Sequence, residues 1–148
     1  MTVLIDTNVL LRVRDANDPR HSECVAAIDA LQSSAHSPFI CMQVLAEFWV
    51  VSTRPRDMNG MGLNIEAAAQ QLAWMSSAFP CLLETLDTAS RWMQIVTDRR
   101  VVGRQAHDAR LVALMLAHGI TQLLTLNTPD FTRYPEITPL TPAEVLFL

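Results

Sequence analysis

The feature that most constrains this chain is its opening, where three apolar residues, Val3-Leu4-Ile5, run without a polar interruption into Asp6. A short continuous apolar run, rather than an alternating one, suits the central strand of a parallel sheet covered on both faces. Thr7 and Asn8 are cap-type residues, and Val9, Leu10 and Leu11 read on as the start of a helix. Asp6 therefore falls where a first strand hands over to a first helix. In open α/β sheets that edge is where ligands bind. A carboxylate fixed there either caps the helix or begins a site, and the rest of the chain decides between the two.

Beyond Asp6, short apolar runs alternate with helical patterns. Residues 38–42, 81–83 and 122–126 read as further strands, and 137–140 as an edge strand. Helices are expected from Asp18-Pro19, a capping acid followed by proline, and over 43–53, 64–77 with Asn64 as cap, 88–96 and 105–119, the last ending on Gly119. Thr141-Pro142-Ala143-Glu144 has the spacing of a capping box. Residues 54–63, with Pro55, Gly60 and Gly62, look the most flexible. No repeat or linker divides the chain, and 148 residues suffice to bury a core. The expectation is an α/β fold, a single domain over 1–148 whose central sheet of four to five mostly parallel strands carries helices on both faces.

Charge and cysteine content narrow the chemistry. The net charge is −4 and all 11 basic residues are arginine. With no lysine there is no Schiff base and no P-loop, and an acidic chain has little non-specific grip on nucleic acid. Cys24, Cys41 and Cys81 lie in apolar contexts without a CxxC pair, which suggests buried thiols in a reducing compartment rather than a zinc site. No signal peptide and no membrane-spanning run is expected, so the chain reads as cytoplasmic with no membrane partner.

Four acids then stand out. Asp6 follows the first strand, Glu47 the second and Asp130 the fourth, while Asp108 lies in the first turn of the strongest helix. If the strands are parallel, three of these acids share one sheet edge. Each has a plain explanation on its own: a cap, a solvated helix residue, a macrodipole contact, a turn. Brought together they repel one another and raise one another's pKa values, which a hard divalent cation, Mg²⁺ or Mn²⁺, offsets. It is the set of four that points to a metal site. A metal-free route through a 2′-hydroxyl wants a pair of histidines, and His21, His36, His107 and His118 occupy dissimilar places.

These residues resemble the PIN-domain ribonucleases, in particular the VapC-type toxins of bacterial toxin–antitoxin pairs. The motifs are Leu4-Ile5-Asp6-Thr7-Asn8-Val9-Leu10, Gln43-Val44-Leu45-Ala46-Glu47-Phe48, His107-Asp108-Ala109-Arg110-Leu111 and Thr125-Leu126-Asn127-Thr128-Pro129-Asp130-Phe131. The resemblance implies a PIN-like domain hydrolysing RNA with Mg²⁺ or Mn²⁺, leaving 5′-phosphate and 3′-hydroxyl ends. By it Asp6, Glu47 and Asp108 take the three main acidic positions, and the fourth falls at Asn127 or Asp130, of which Asp130 carries the acid. Thr7, Asn8, Thr125 and Asn127 are expected to support the site by hydrogen bonds, and Arg12 and Arg110, nearest in sequence to the acids, to contact RNA. An antitoxin protein and a second copy of the chain are the implied partners. A haloacid-dehalogenase phosphatase is excluded, since Asn8 stands where its second Asp is needed and its lysine is missing. A PIN-like module that binds RNA or protein without cutting, or a DNA-acting nuclease of the same fold, remains the alternative.

Overall fold

In the computed structural model, which describes residues 1–148, the opening apolar run becomes β1 (Thr2–Ile5), and Val3, Leu4 and Ile5 are wholly buried. It lies at the centre of a five-stranded sheet with β2 (Ser37–Cys41), β3 (Cys81–Leu82), β4 (Gln122–Leu124) and β5 (Thr138–Leu140), in the order β3-β2-β1-β4-β5. Every neighbouring pair is parallel, and Leu4 stands opposite Phe39 on one side and Leu123 on the other. Strands covered on both faces need no alternation of apolar and polar residues, which is why the runs read as continuous.

The chain moves from β1 outward through β2 to β3, then returns to the other side of β1 for β4 and β5. Right-handed crossovers place α1 (Thr7–Val13), α2 (His21–Ser33), α3 (Met42–Thr53) and α4 (Ile65–Ala78) on one face of the sheet. The same rule puts α5 (Thr88–Asp98), α6 (Gln105–Ala117) and α7 (Thr128–Phe131) on the other. Packing follows this division: α1 meets α2 and α3, and α3 meets α4, whereas α6 meets α5 and α7. The closing helix α8 (Pro142–Val145) returns to pack on α2. The reversal of direction beside β1 opens a crevice at the carboxyl ends of β1 and β4, the switch point where α/β sheets bind ligands.

Local chemistry explains most element boundaries. Asn64 caps α4 by accepting from the Ala67 N–H at 2.8 Å, and Thr141 and Glu144 form the full capping box of α8. Gly119, at φ +66°, ends α6. Three expectations change. The first helix begins at Thr7, not Val9, because Asp6 itself is its cap. Asp18 does not start α2; its carboxylate accepts from the Arg20 N–H at 2.8 Å in a turn, and the helix begins at His21. Cys81 is exposed, being on the edge strand β3, while Cys24 and Cys41 are buried.

The stretch 54–63 is a tied loop rather than a loose one. It contains a 3-10 turn, Arg56–Met58, and its main chain folds back on the end of α3, with Met61 N–H donating to Val51 O and Leu63 N–H to Ser52 O. Glycine is required at position 60 because an added Cβ falls 1.9 Å from the Arg54 carbonyl oxygen. No helix is long and apolar enough to cross a membrane.

Candidate active site

Asp6 is the first residue past β1, and its N–H donates to Leu124 O at 2.9 Å, extending the ladder to β4 and pinning its backbone at the crevice. Its carboxylate is almost enclosed. Oδ1 accepts from the Thr7 N–H at 2.7 Å, and Oδ2 accepts from Asn8 Nδ2 at 2.9 Å and from the Thr125 hydroxyl at 2.7 Å. Those donors are themselves held: Leu126 N–H donates to the Asn8 side-chain oxygen, and Asn127 N–H to the Thr125 hydroxyl. Burial nevertheless raises the Asp6 pKa to about 6. The Thr125 and Thr7 hydrogen bonds pull it down, and the charges of Glu47 and Asp108 push it further up.

Glu47 arrives from α3. Its Oε2 accepts from the Thr7 hydroxyl and its Oε1 from Gln43 Nε2, both at 2.8 Å. The same Gln43 nitrogen donates to His107 O at 2.8 Å, so one amide joins α3 to the start of α6. Gln43 is buried, and its side-chain oxygen has no partner. Asp108, in the first turn of α6, is half-buried and its carboxylate accepts no hydrogen bond from the protein. Its pKa is also raised to about 6, by burial first, then by Asp130 and Glu47, against the pull of His107 and Arg104.

These elements enclose a cleft of about 490 Å³, lined by Asp6, Glu47 and Asp108 with Thr7, Asn8, Gln43, His107, Asn127, Arg54 and Arg110. Asp130 does not line it. It is exposed on α7 and reaches the site as a charge felt by Asp108, while Asn127 stands in the cleft wall. Arg12, expected from its nearness in sequence to the acids to contact RNA, does not line the cleft and pairs with Asp18 at 3.3 Å. Arg110 does line the cleft, with its Nε donating to Glu84 at 2.9 Å. Arg54, in the stretch whose composition suggests a flexible loop, also lines the cleft; as the C-cap of α3 it stands seven residues, about two helical turns, after Glu47.

The donor set is oxygen-rich and mutually repelling, which suits a hard divalent cation. No three Asp, Glu, His or Cys side chains stand close enough to hold one ion by direct ligation alone. Mg²⁺ commonly takes only one or two carboxylates and keeps water on its other positions, so the residues present fit an ion bound in that manner.

Comparison with known proteins agrees with this architecture. The PIN domain family model matches residues 3–137. Ribonuclease VapC24 of Mycobacterium tuberculosis is 25% identical over 130 residues, spanning 88% of this chain and 89% of that protein. Among solved structures, DNA-bound VapBC from Salmonella typhimurium superposes with a TM-score of 0.70 at 16% identity, covering 96% of this chain and 98% of that one. Mycobacterium tuberculosis VapC20, a sarcin-ricin loop cleaving toxin, superposes at 0.59 with 21% identity, covering 82% and 86%. These structures share the fold. The family match spans nearly the whole chain, the strands and helices are in place, and the chain belongs to the PIN-domain family.

Proposed function

We propose that this protein is a metal-dependent endoribonuclease, the toxin of a toxin–antitoxin pair, which hydrolyses phosphodiester bonds of RNA in the acidic cleft. The observation that carries the reading is the meeting of Asp6, Glu47 and Asp108, from β1, α3 and α6, in one cleft, with two of the three held near pKa 6. Membership of the PIN-domain family and the likeness to a protein named as a ribonuclease support it.

Asp6, Glu47 and Asp108 would hold Mg²⁺ or Mn²⁺, one or two of them directly and the rest through bound water, with Asp130 adding negative charge from the rim. When bound, such an ion acidifies a coordinated water and offsets charge on the phosphate. The chain's own groups do the rest. Thr7, Asn8 and Thr125 hold the Asp6 carboxylate in one orientation, and Thr7 with Gln43 does the same for Glu47. Asp108, whose carboxylate has no protein donor, is free to orient the attacking water and take its proton. The products carry 5′-phosphate and 3′-hydroxyl ends. An antitoxin protein is the partner of such a toxin, and the exposed Met42, Met58 and Met93 offer adaptable apolar surface for it or for a second copy of the chain.

The test is digestion of single-stranded RNA with Mn²⁺ by the wild type and by Asp6→Asn. The variant should lose about a hundredfold or more in rate while keeping its circular-dichroism spectrum, and its expression should relieve the growth arrest caused by the wild type. RNA bound but left intact by the wild type would instead make the domain a binding module, and equal cutting of single-stranded DNA would make it a nuclease without sugar preference.

A further inference from the structure

We propose that Arg54 grips a phosphate of the RNA strand in the cleft, and that residues 54–63 exist to hold it there. This rests on the nuclease reading above. Arg54 is the C-cap of α3, one residue beyond the helix that carries Glu47, half-buried and in the wall of the same cleft as Asp6 and Asp108. The ion pairs of the chain are Arg12–Asp18, Arg20–Glu23, Arg91–Asp87, Arg99–Glu136 and Arg110–Glu84, and Arg54 is in none of them. Its guanidinium makes no hydrogen bond, whereas Arg110, the other arginine of the cleft, is engaged by Glu84.

The root of Arg54 is fixed as firmly as its head is free. Its N–H donates to Val50 O at 3.1 Å, and its carbonyl accepts from the Gly62 N–H at 2.9 Å. Gly60 packs so near that carbonyl that no side chain can replace it. The loop thus closes around the main chain of Arg54 and leaves its five N–H donors unused in a recess they share with three carboxylates. A polynucleotide entering that recess meets repulsion from the carboxylates. The planar guanidinium matches a phosphate through two parallel hydrogen bonds and supplies a local attraction that offsets this repulsion.

Binding of a short fluorescein-labelled single-stranded RNA, followed by anisotropy over a range of salt concentrations with Ca²⁺ replacing the catalytic metal, tests this. Arg54→Ala should bind about tenfold or more weakly, as loss of a charge-assisted hydrogen bond implies. Its dependence of log affinity on log salt should also be shallower by about 0.7, the share of one phosphate contact on a single strand. Arg54→Lys should keep the salt dependence and recover only part of the affinity, because a lysine cannot make the paired contact. Arg91→Ala, remote and exposed, should match the wild type. In Mn²⁺ digestion, Arg54→Ala should raise KM while leaving kcat within a few-fold. Unchanged affinity and salt dependence in Arg54→Ala would overturn the proposal while wild-type cutting keeps the nuclease reading intact. A wild type that neither binds nor cuts the RNA removes both.

Discussion

Asp6 accepts three hydrogen bonds, from Thr7, Asn8 and Thr125, and Glu47 accepts two, from Thr7 and Gln43; across the cleft, the carboxylate of Asp108 accepts none from the protein, nor does that of Asp130, outside the cleft. The first wall is built on β1 and α3 around a network that leaves its acids one orientation. The second wall sets Asp108 by position alone, on the first turn of α6, with the charge of Asp130 on the short α7 acting on it from outside the cleft. Asp6 and Asp108 nevertheless reach the same pKa of about 6, the one through near-complete burial and the other through partial burial beside Asp130. The lesson is that one wall is arranged in advance for whatever it binds, while the other adjusts to it.

The largest expected effect separates these roles. Asp108→Asn should reduce RNA cleavage about a hundredfold or more, yet in EDTA its unfolding free energy should be unchanged or slightly higher, since a repelled, half-buried charge is removed and no hydrogen bond is broken. A clear loss of stability by denaturant titration would show that the second wall is held by contacts after all.

Next comes pH. Both carboxylates titrate near 6 in the fold against 3.8 ordinarily, so the native state binds their protons more tightly than the unfolded chain does. In EDTA the stability from these groups is full below pH 3.8 and is lost as pH rises through 6, with Asp6 accounting for about 2–3 kcal/mol. Denaturant titrations from about pH 4 to about pH 7 check this, and Mg²⁺ should cancel the loss. A metal-free protein that gains stability over that window breaks the picture of two strained acids.

The smallest effect sharpens the first wall. Thr125, wholly buried, donates to Asp6 and accepts from Asn127 N–H, so Thr125→Val should cost about 1–2 kcal/mol and push the Asp6 pKa higher still. Denaturant titration gives the first quantity and carboxyl-carbon NMR the second. If Asp6 does not move, its orientation depends on Asn8 and the helix start rather than on Thr125.

Much of this was legible in the residues because local and tertiary demands coincide. Val3-Leu4-Ile5 carries only apolar side chains and takes the central, wholly buried place in the sheet; Asn64 and Thr141 cap the helices their spacing announces. Asp6 and Glu47 are marked by their places just after strands and Asp108 by its place in the first turn of the strongest helix, and the parallel sheet brings these places together. Asp130 was less legible, because a Thr-Pro-Asp turn does not reveal which way its third residue faces. Arg12 and Arg54 show that nearness along the chain is a poor guide to nearness in space. The first turns off to Asp18, while the second comes back on the same helix face two turns later. Residues 54–63 are less free than their composition suggests, since Gly60 serves close approach to the Arg54 carbonyl.

Gln43 ties a carboxylate of one helical layer to the backbone beside a carboxylate of the other. The gap between Glu47 and Asp108 is therefore a gauge of how the two layers are seated on the sheet. Any slip of α6 against α3 is transmitted through that single amide to the cleft, so packing changes far from the acids will be felt as altered spacing between them.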